Sequence, residues 1–395
     1  MYEALNSGCG ARAARQADAM LRPPTSTPSL VDPSPADPTR AASAAADPRV
    51  LLCGYYGEHN LGDDALLEAL LGQLPAGIVP VVTAFDQAEI ERCFALETTQ
   101  RRQLPAVLAA LGSCRALVLG GGSLLQDSTS FRSLLYYAAL ILAARLRRKP
   151  VLLWGQGLGP LSRRRSRLLV RSLLPLVQAI SWRDAASAQL ASSWGLQGDV
   201  AADPVWSLPA QVWQGAGGPI VLCWRPSVLL EGRQWSPLLE AVDSLAAGCE
   251  RQVIWLPFHR DQDRGLLCRL AAEGLVPERL LQRSEERQID HPAAASDLFS
   301  GAGLVVAMRL HGLILAALAG APCVALSYDP KVAAAAGAID CPCQDLDQAV
   351  TAKDLRMSWE QQLDRPSLPN KIAELRASTA IHAKLLNRWL KPELL

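Results

Sequence analysis

The stretch Gly303-Leu304-Val305-Val306-Ala307-Met308-Arg309-Leu310-His311-Gly312 decides the fold. Its apolar half has the length and branched side chains of a strand buried on both faces. Directly after it, Leu313-Ile314-Leu315-Ala316-Ala317-Leu318-Ala319-Gly320 reads as a helix. Arg309 and His311 therefore fall at a strand-to-helix junction. Lys331 follows in Ser327-Tyr328-Asp329-Pro330-Lys331, near the end of the next expected strand. In an open α/β sheet, strand tips of this kind are where small anionic ligands bind.

The same alternation extends in both directions. Upstream, the apolar runs Val50–Cys53, Ile78–Val82, Ala116–Leu119 and Val151–Trp154 suit buried strands. Helical patterns lie between and after them, near Asp64–Leu74, Leu104–Leu111, Phe131–Arg147 and Arg163–Leu176. A second series has strands at Ile220–Trp224, Val253–Leu256, Leu304–Ala307 and Cys323–Leu326, with helices at Trp235–Ala247 and Asp261–Ala272. The pattern predicts an α/β protein with two Rossmann-like domains facing a cleft. Gln211–Gly218, rich in glycine, reads as the linker, which gives domains at 49–212 and 219–395. A terminal helix over Asn370–Leu395 is expected to pack back across the boundary. Residues 1–48 are rich in Ala, Pro, Ser and Asp, lack the apolar core of a secretory signal, and are expected to be disordered.

Composition limits the partners. A hydrophobic content of 50% against 19% charged is that of an ordinary globular protein. The net charge of +1 sets up no global field for nucleic acid or acidic membrane, so an anionic substrate must be captured locally. Several of the ten cysteines, among them Cys53, Cys114, Cys223 and Cys323, lie in apolar runs as small core residues, which suits a reducing cytoplasm. The close pair Cys341 and Cys343 has no ligand set around it, so no metal and no cofactor is expected. The longest apolar segment, Leu134–Leu146, is too short to span a bilayer and ends in Arg147-Arg148-Lys149. That basic end leaves room for peripheral contact with the inner face of the membrane, although a cationic helix C-terminus favoured by the macrodipole explains it as well.

Three other motifs stand at expected strand ends. Gly54-Tyr55-Tyr56-Gly57-Glu58-His59-Asn60-Leu61-Gly62-Asp63-Asp64 joins the first strand to its helix, with Gly57, Asn60 and Asp63 as ligand candidates. A capped turn is the plainer reading, with Asn60 or Asp63 as the cap. Gly120-Gly121-Gly122-Ser123-Leu124-Leu125-Gln126-Asp127 suggests backbone at Gly121 and Gly122 approaching a phosphate or sugar, with Arg132 close behind. It lacks the lysine and hydroxyl residue of a P-loop. Asp127 is a base, a sugar-hydroxyl acceptor or a helix cap. Ser181-Trp182-Arg183-Asp184 ends a strand with a guanidinium suited to a carboxylate or phosphate. Glu278 and Glu286 have the spacing used by some nucleotide-sugar transferases, within a charge-rich stretch that reads more simply as solvated surface.

Taken in order, these motifs, together with Gly155-Gln156-Gly157-Leu158-Gly159-Pro160 and Met308-Arg309-Leu310-His311, resemble the polysaccharide pyruvyl transferases, in particular the bacterial CsaB type. The resemblance implies a fold similar to GT-B glycosyltransferases and transfer of the enolpyruvyl group of phosphoenolpyruvate to a sugar as a cyclic ketal, with phosphate released. It implies Arg183, Arg309 and Lys331 as phosphoenolpyruvate ligands and His311 as general acid, with the C-terminal domain as the phosphoenolpyruvate side and Arg183 reaching in from the opposite domain. The N-terminal domain becomes the acceptor side, and the acceptor a lipid-linked N-acetylmannosamine.

The chemistry suits these residue types. A carboxylate and a phosphate leaving water both require paired cations, and protonating an enol methylene requires an acid that titrates near neutrality. A base for the acceptor hydroxyl is open among Asp63, Asp127 and Asp184. A nucleotide-sugar glycosyltransferase and a non-catalytic anion-binding protein are the competing readings.

Overall fold

Two parallel sheets organise the chain. The structure is a computed structural model that describes residues 48–391 except residue 129, so the Ala/Pro-rich head lies outside the described residues. The first sheet holds β1 (Arg49–Tyr56), β2 (Val79–Ala84), β3 (Glu97–Gln100), β4 (Ala116–Leu119), β5 (Gly122–Leu125), β6 (Val151–Leu158), β7 (Ala179–Trp182) and β8 (Asp199–Val200). Their order is β3-β2-β1-β4-β6-β7-β8, with β5 also paired to β6. The second sheet holds β9 (Ile220–Cys223), β10 (Val253–Trp255), β11 (Ser284–Glu286), β12 (Leu304–Ala307), β13 (Cys323–Ser327) and β14 (Cys343–Asp345), in the order β11-β10-β9-β12-β13-β14. Each sheet reverses its winding once, between β1 and β4 and between β9 and β12. The crevices beyond the carboxyl ends of such strand pairs are ligand sites by topology.

Apolar runs become strands here because both faces of each sheet are covered. Along β1, Val50 and Leu52 pack into one core while Leu51 and Cys53 pack into another. The core containing Val50 also takes Val305 and Ala307 of β12, so the inner faces of the two sheets share one apolar interior. Helices Leu61–Gln73 and Leu310–Leu318 meet in it. Asn60 starts the first of these, its side chain accepting from the Gly62 N–H at 3.1 Å.

Two segments near the boundary between the halves have definite places. Residues of the expected linker belong with the second sheet: Gln211 N–H donates to Leu318 O at 2.8 Å, and Trp213 Nε1 donates to Ala302 O at 2.8 Å. The C-terminal helix Ala380–Leu390 returns to the first sheet, beside β6 and β7. The expected helix over Asp261–Ala272 is two helices, Arg260–Asp263 and Leu266–Ala272, divided at Gly265 with φ +72°. Among the described residues every cysteine is a free thiol, and no helix is long and apolar enough to cross a membrane.

Candidate functional site

The site begins where β4 breaks. A Cβ on Gly120 would lie 1.8 Å from the Tyr56 hydroxyl, and one on Gly121 would lie 2.6 Å from Leu66. These glycines let β1 and helix Leu61–Gln73 press close to the strand. The Gln156 side-chain amide donates to the carbonyls of Leu119 and Gly120 at the break. With Gly122 at φ +102°, the chain then resumes as β5 and presents Ser123 to the cleft. Gly157 on β6 leaves room beside it, since a Cβ there would lie 2.5 Å from Ser123 Oγ and 3.0 Å from Arg183 Nε.

Ser123 is where the two halves meet. Its Oγ accepts from Lys331 Nζ at 2.9 Å and from Arg183 Nη2 at 3.2 Å. Arg183, at the tip of β7, also donates through Nη1 to Asp203 Oδ2 at 2.9 Å. The same carboxylate oxygen lies 3.6 Å from His311 Nε2. That nitrogen is buried and faces the Asp203 carboxylate beyond ordinary hydrogen-bond distance, while the other side of the ring rests on Gly62, where a Cβ would lie 2.3 Å from Nδ1. His311 thus reaches from the second half onto the helix start of the first. Arg183, Lys331 and His311 form one constellation.

Burial and mutual charge set the protonation of this group. Burial opposes ionisation of Asp203, but Arg183 and His311 outweigh it and hold the carboxyl well below its usual range. Burial, reinforced by Arg183, lowers the Lys331 ammonium. Burial raises the carboxyl of Asp63 against the opposing pull of His311, Asn60 and Arg183. Asp63 faces the broken strand, one of its oxygens lying 3.9 Å from a Cβ placed on Gly122.

Other expected site residues are engaged elsewhere. The Arg309 guanidinium forks onto Asp263, with Nε donating to Oδ2 at 2.9 Å and Nη2 donating to Oδ1. Asp263 is fully buried and also accepts from the N–H groups of Phe258 and His259 at 3.1 and 2.8 Å. Asp127 accepts from the N–H groups of Ser162 and Arg163, both at 2.9 Å, and from the Ser162 hydroxyl. Burial opposes its charge, but these bonds hold its carboxyl low, so it anchors the entry to helix Arg164–Leu173. Asp184 caps helix Ala185–Ser192 through Ser187 N–H at 2.7 Å. Gly57 turns at φ +66°, and its carbonyl accepts from Asp86 N–H at 3.1 Å. Asn60 serves as the helix cap. Arg132 is exposed on the first turn of helix Phe131–Leu146. Glu286 accepts from Gly265 N–H at 2.8 Å, and Glu278 opens a short helix.

Ser123, Asp203 and His382 were not singled out in the sequence. His382, on the C-terminal helix, is buried between Ser181 Oγ at 2.8 Å and Ala202 O at 2.9 Å. Those two residues flank Arg183 and Asp203, so the helix fixes the pair from behind. The sequence carries no sign of this, because residues 181, 202 and 382 meet only in the fold. Among the described residues, His59, Asp86 and Glu89 stand close enough to hold a metal ion. Arg260 already places a cation there, its guanidinium touching His59 and lying 3.6 Å from Glu89.

Two doubly wound parallel sheets with a charged cleft at their switch points define a GT-B-like enzyme architecture. Solved structures agree on the fold. A putative UDP-N-acetylglucosamine 2-epimerase from Listeria monocytogenes is similar over 87% of this chain and 95% of its own, at 12% identity and TM-score 0.54. The UDP-GlcNAc 2-epimerase from Neisseria meningitidis is similar over 86% of this chain and 99% of its own, also at 12% identity and TM-score 0.54. Comparison with curated proteins finds no match. The sequence pattern of one family, polysaccharide pyruvyl transferase, matches residues 60–330, and the chain belongs to that family.

Proposed function

We propose that the protein transfers the enolpyruvyl group of phosphoenolpyruvate to a sugar as a cyclic ketal, in the synthesis of a cell-wall or surface polysaccharide. The observation that carries this reading is the convergence of Arg183, Lys331 and His311 on one cleft, in a chain of the pyruvyl transferase family. Arg183 and Lys331 bind the carboxylate and phosphate, the arginine as a planar fork and the lysine as a point charge. His311 protonates the methylene carbon, which becomes the methyl group. A sugar hydroxyl then bonds to the cationic carbon and loses its proton. The C–O bond to phosphate then breaks, and a second hydroxyl bonds to the same carbon and gives its proton to the departing phosphate, so phosphate leaves and the ring closes.

Asp63 is assigned as the base, because burial raises its proton affinity and because Asp127 and Asp184 are committed to backbone N–H groups. Arg309 is assigned a positioning role. Held by Asp263, it fixes the start of the helix that carries His311. The acceptor proposed is a lipid-linked N-acetylmannosamine, used on the cytoplasmic side of the membrane.

The deciding experiment supplies phosphoenolpyruvate with that acceptor and follows phosphate release together with a new ketal methyl signal by NMR. His311→Ala is expected to lose on the order of 100- to 10,000-fold in rate, the usual contribution of a general acid. Normal turnover in this variant removes His311 from the mechanism. Nucleotide release from a sugar nucleotide, without phosphate release from phosphoenolpyruvate, overturns the reading altogether.

A further inference from the structure

The net charge of +1 conceals a strong segregation. From Thr98 to Arg183 the chain has fourteen Lys or Arg and a single acid, Asp127, so this segment carries +13 and the rest −12. Asp127 is buried and bonded to backbone, so it offers no negative charge to the surface. The segment supplies helices Leu104–Ser113, Phe131–Leu146 and Arg164–Leu173, which cover one face of the first sheet. Arg145, Arg147, Arg148, Arg164, Arg167 and Arg171 are exposed on these helices and their ends, whereas Arg101 and Arg183 are buried in ion pairs with Glu58 and Asp203.

It also exposes leucine. Leu135, Ala139, Leu142 and Leu146 recur at helical spacing on the side of Phe131–Leu146 opposite its buried residues. Leu135 and Leu142 are each 46% exposed, and Leu146 is 85% exposed. On the helix packed beside it, Leu168 is 68% exposed. Single exposed leucines are ordinary, but a stripe shared by adjacent helices and flanked by exposed arginines marks an interaction surface. Both helices start at the cleft edge of the sheet, where Asp127 ties their entries together and Arg165 stacks 4.2 Å above Phe131.

We propose that this face docks on the surface of an anionic lipid bilayer. The arginines match acidic headgroups, and the leucines enter the boundary between headgroup and acyl chain. A soluble polyanion would engage the arginines and leave the leucines in water. This docking is independent of the pyruvyl transfer reading, because it is measured without turnover.

The test is co-sedimentation of the full chain with vesicles of phosphatidylglycerol and phosphatidylcholine, and with phosphatidylcholine alone. Binding to the anionic vesicles, weakened by salt, is expected. The variant combining Leu142→Asn, Leu146→Asn and Leu168→Asn, which leaves charge unchanged, is expected to bind about tenfold more weakly or worse. Arg145→Gln and Arg148→Gln are each expected to cost about fivefold on anionic vesicles. Failure of the wild-type chain to sediment with anionic vesicles overturns the proposal. So does unchanged binding by the leucine variant, which instead identifies a soluble polyanion site.

Discussion

The tips of β7 and β12 have the same sequence logic and different fates. Each ends an apolar strand with an arginine, Arg183 or Arg309, and each is followed by a helix. Arg183 finds Asp203 on one side and Ser123 on the other, and keeps its place in the cleft. Arg309 meets Asp263, a fully buried carboxylate, through Nε and Nη2, and Nη2 also donates to Gln262 Oε1 at 3.1 Å. A strand tip places the backbone. Where the guanidinium goes depends on which acid the rest of the fold brings within reach.

The largest effect that tests this contrast is expected from Arg183→Ala. It removes a cleft cation and leaves Asp203 buried without its partner, so kcat/KM for phosphoenolpyruvate should fall on the order of 100- to 1,000-fold, with a lower melting temperature. Wild-type kinetics in this variant would show that the cleft cation is elsewhere.

Arg309→Ala should instead cost stability, about 3 kcal/mol in urea unfolding, because it strands Asp263. Its Kd for phosphoenolpyruvate, measured per folded molecule, should stay within a few-fold of wild type. A rise as large as that of Arg183→Ala breaks the contrast and brings Arg309 into the substrate site.

Lys331 sharpens it further through pH. Its pKa is lowered by burial and Arg183, so the ammonium is lost below the ordinary lysine range near 10.4. Phosphoenolpyruvate affinity should fall at alkaline pH by about tenfold as that charge disappears. In Lys331→Arg the fall should be absent, because guanidinium does not titrate there. An identical alkaline limb in both proteins assigns it to another group.

The smallest effect concerns His382, whose pKa is lowered chiefly by burial. Below its unfolded value near 6.5 the unfolded chain binds a proton that the folded chain resists, so stability should decline as the pH drops from 7 to 5. The slope cannot exceed ~1.4 kcal/mol per pH unit for one group. His382→Gln should flatten it, and an unchanged slope would place the titrating group elsewhere.

Legibility in the sequence followed burial. Strands covered on both faces, such as β1, β4 and β12, announced themselves as apolar runs, and their helices by periodicity. The edge and end strands β3, β8, β11 and β14 did not, since Glu97-Thr98-Thr99-Gln100 or Ser284-Glu285-Glu286 gain their strand form from a neighbour's backbone. The triple glycine drew attention to the right turn for a different reason. Its glycines admit Tyr56 and Leu66, and the polar group turned to the cleft is the Ser123 hydroxyl.

By itself the sequence determined the alternation of strand and helix, the two parallel sheets and the junctions where polar residues gather. These depend on periodicity and on short-range turn chemistry, which one segment carries alone. Only the tertiary structure decided which of those residues share a site. It joined Arg183 to Lys331 through Ser123, set His311 against Asp203, gave Arg309 to Asp263, and brought His382 from the far end of the chain behind Arg183. The physical reason is that a charge takes the nearest buried partner of opposite sign, and that choice depends on distances in space which the order of residues does not encode.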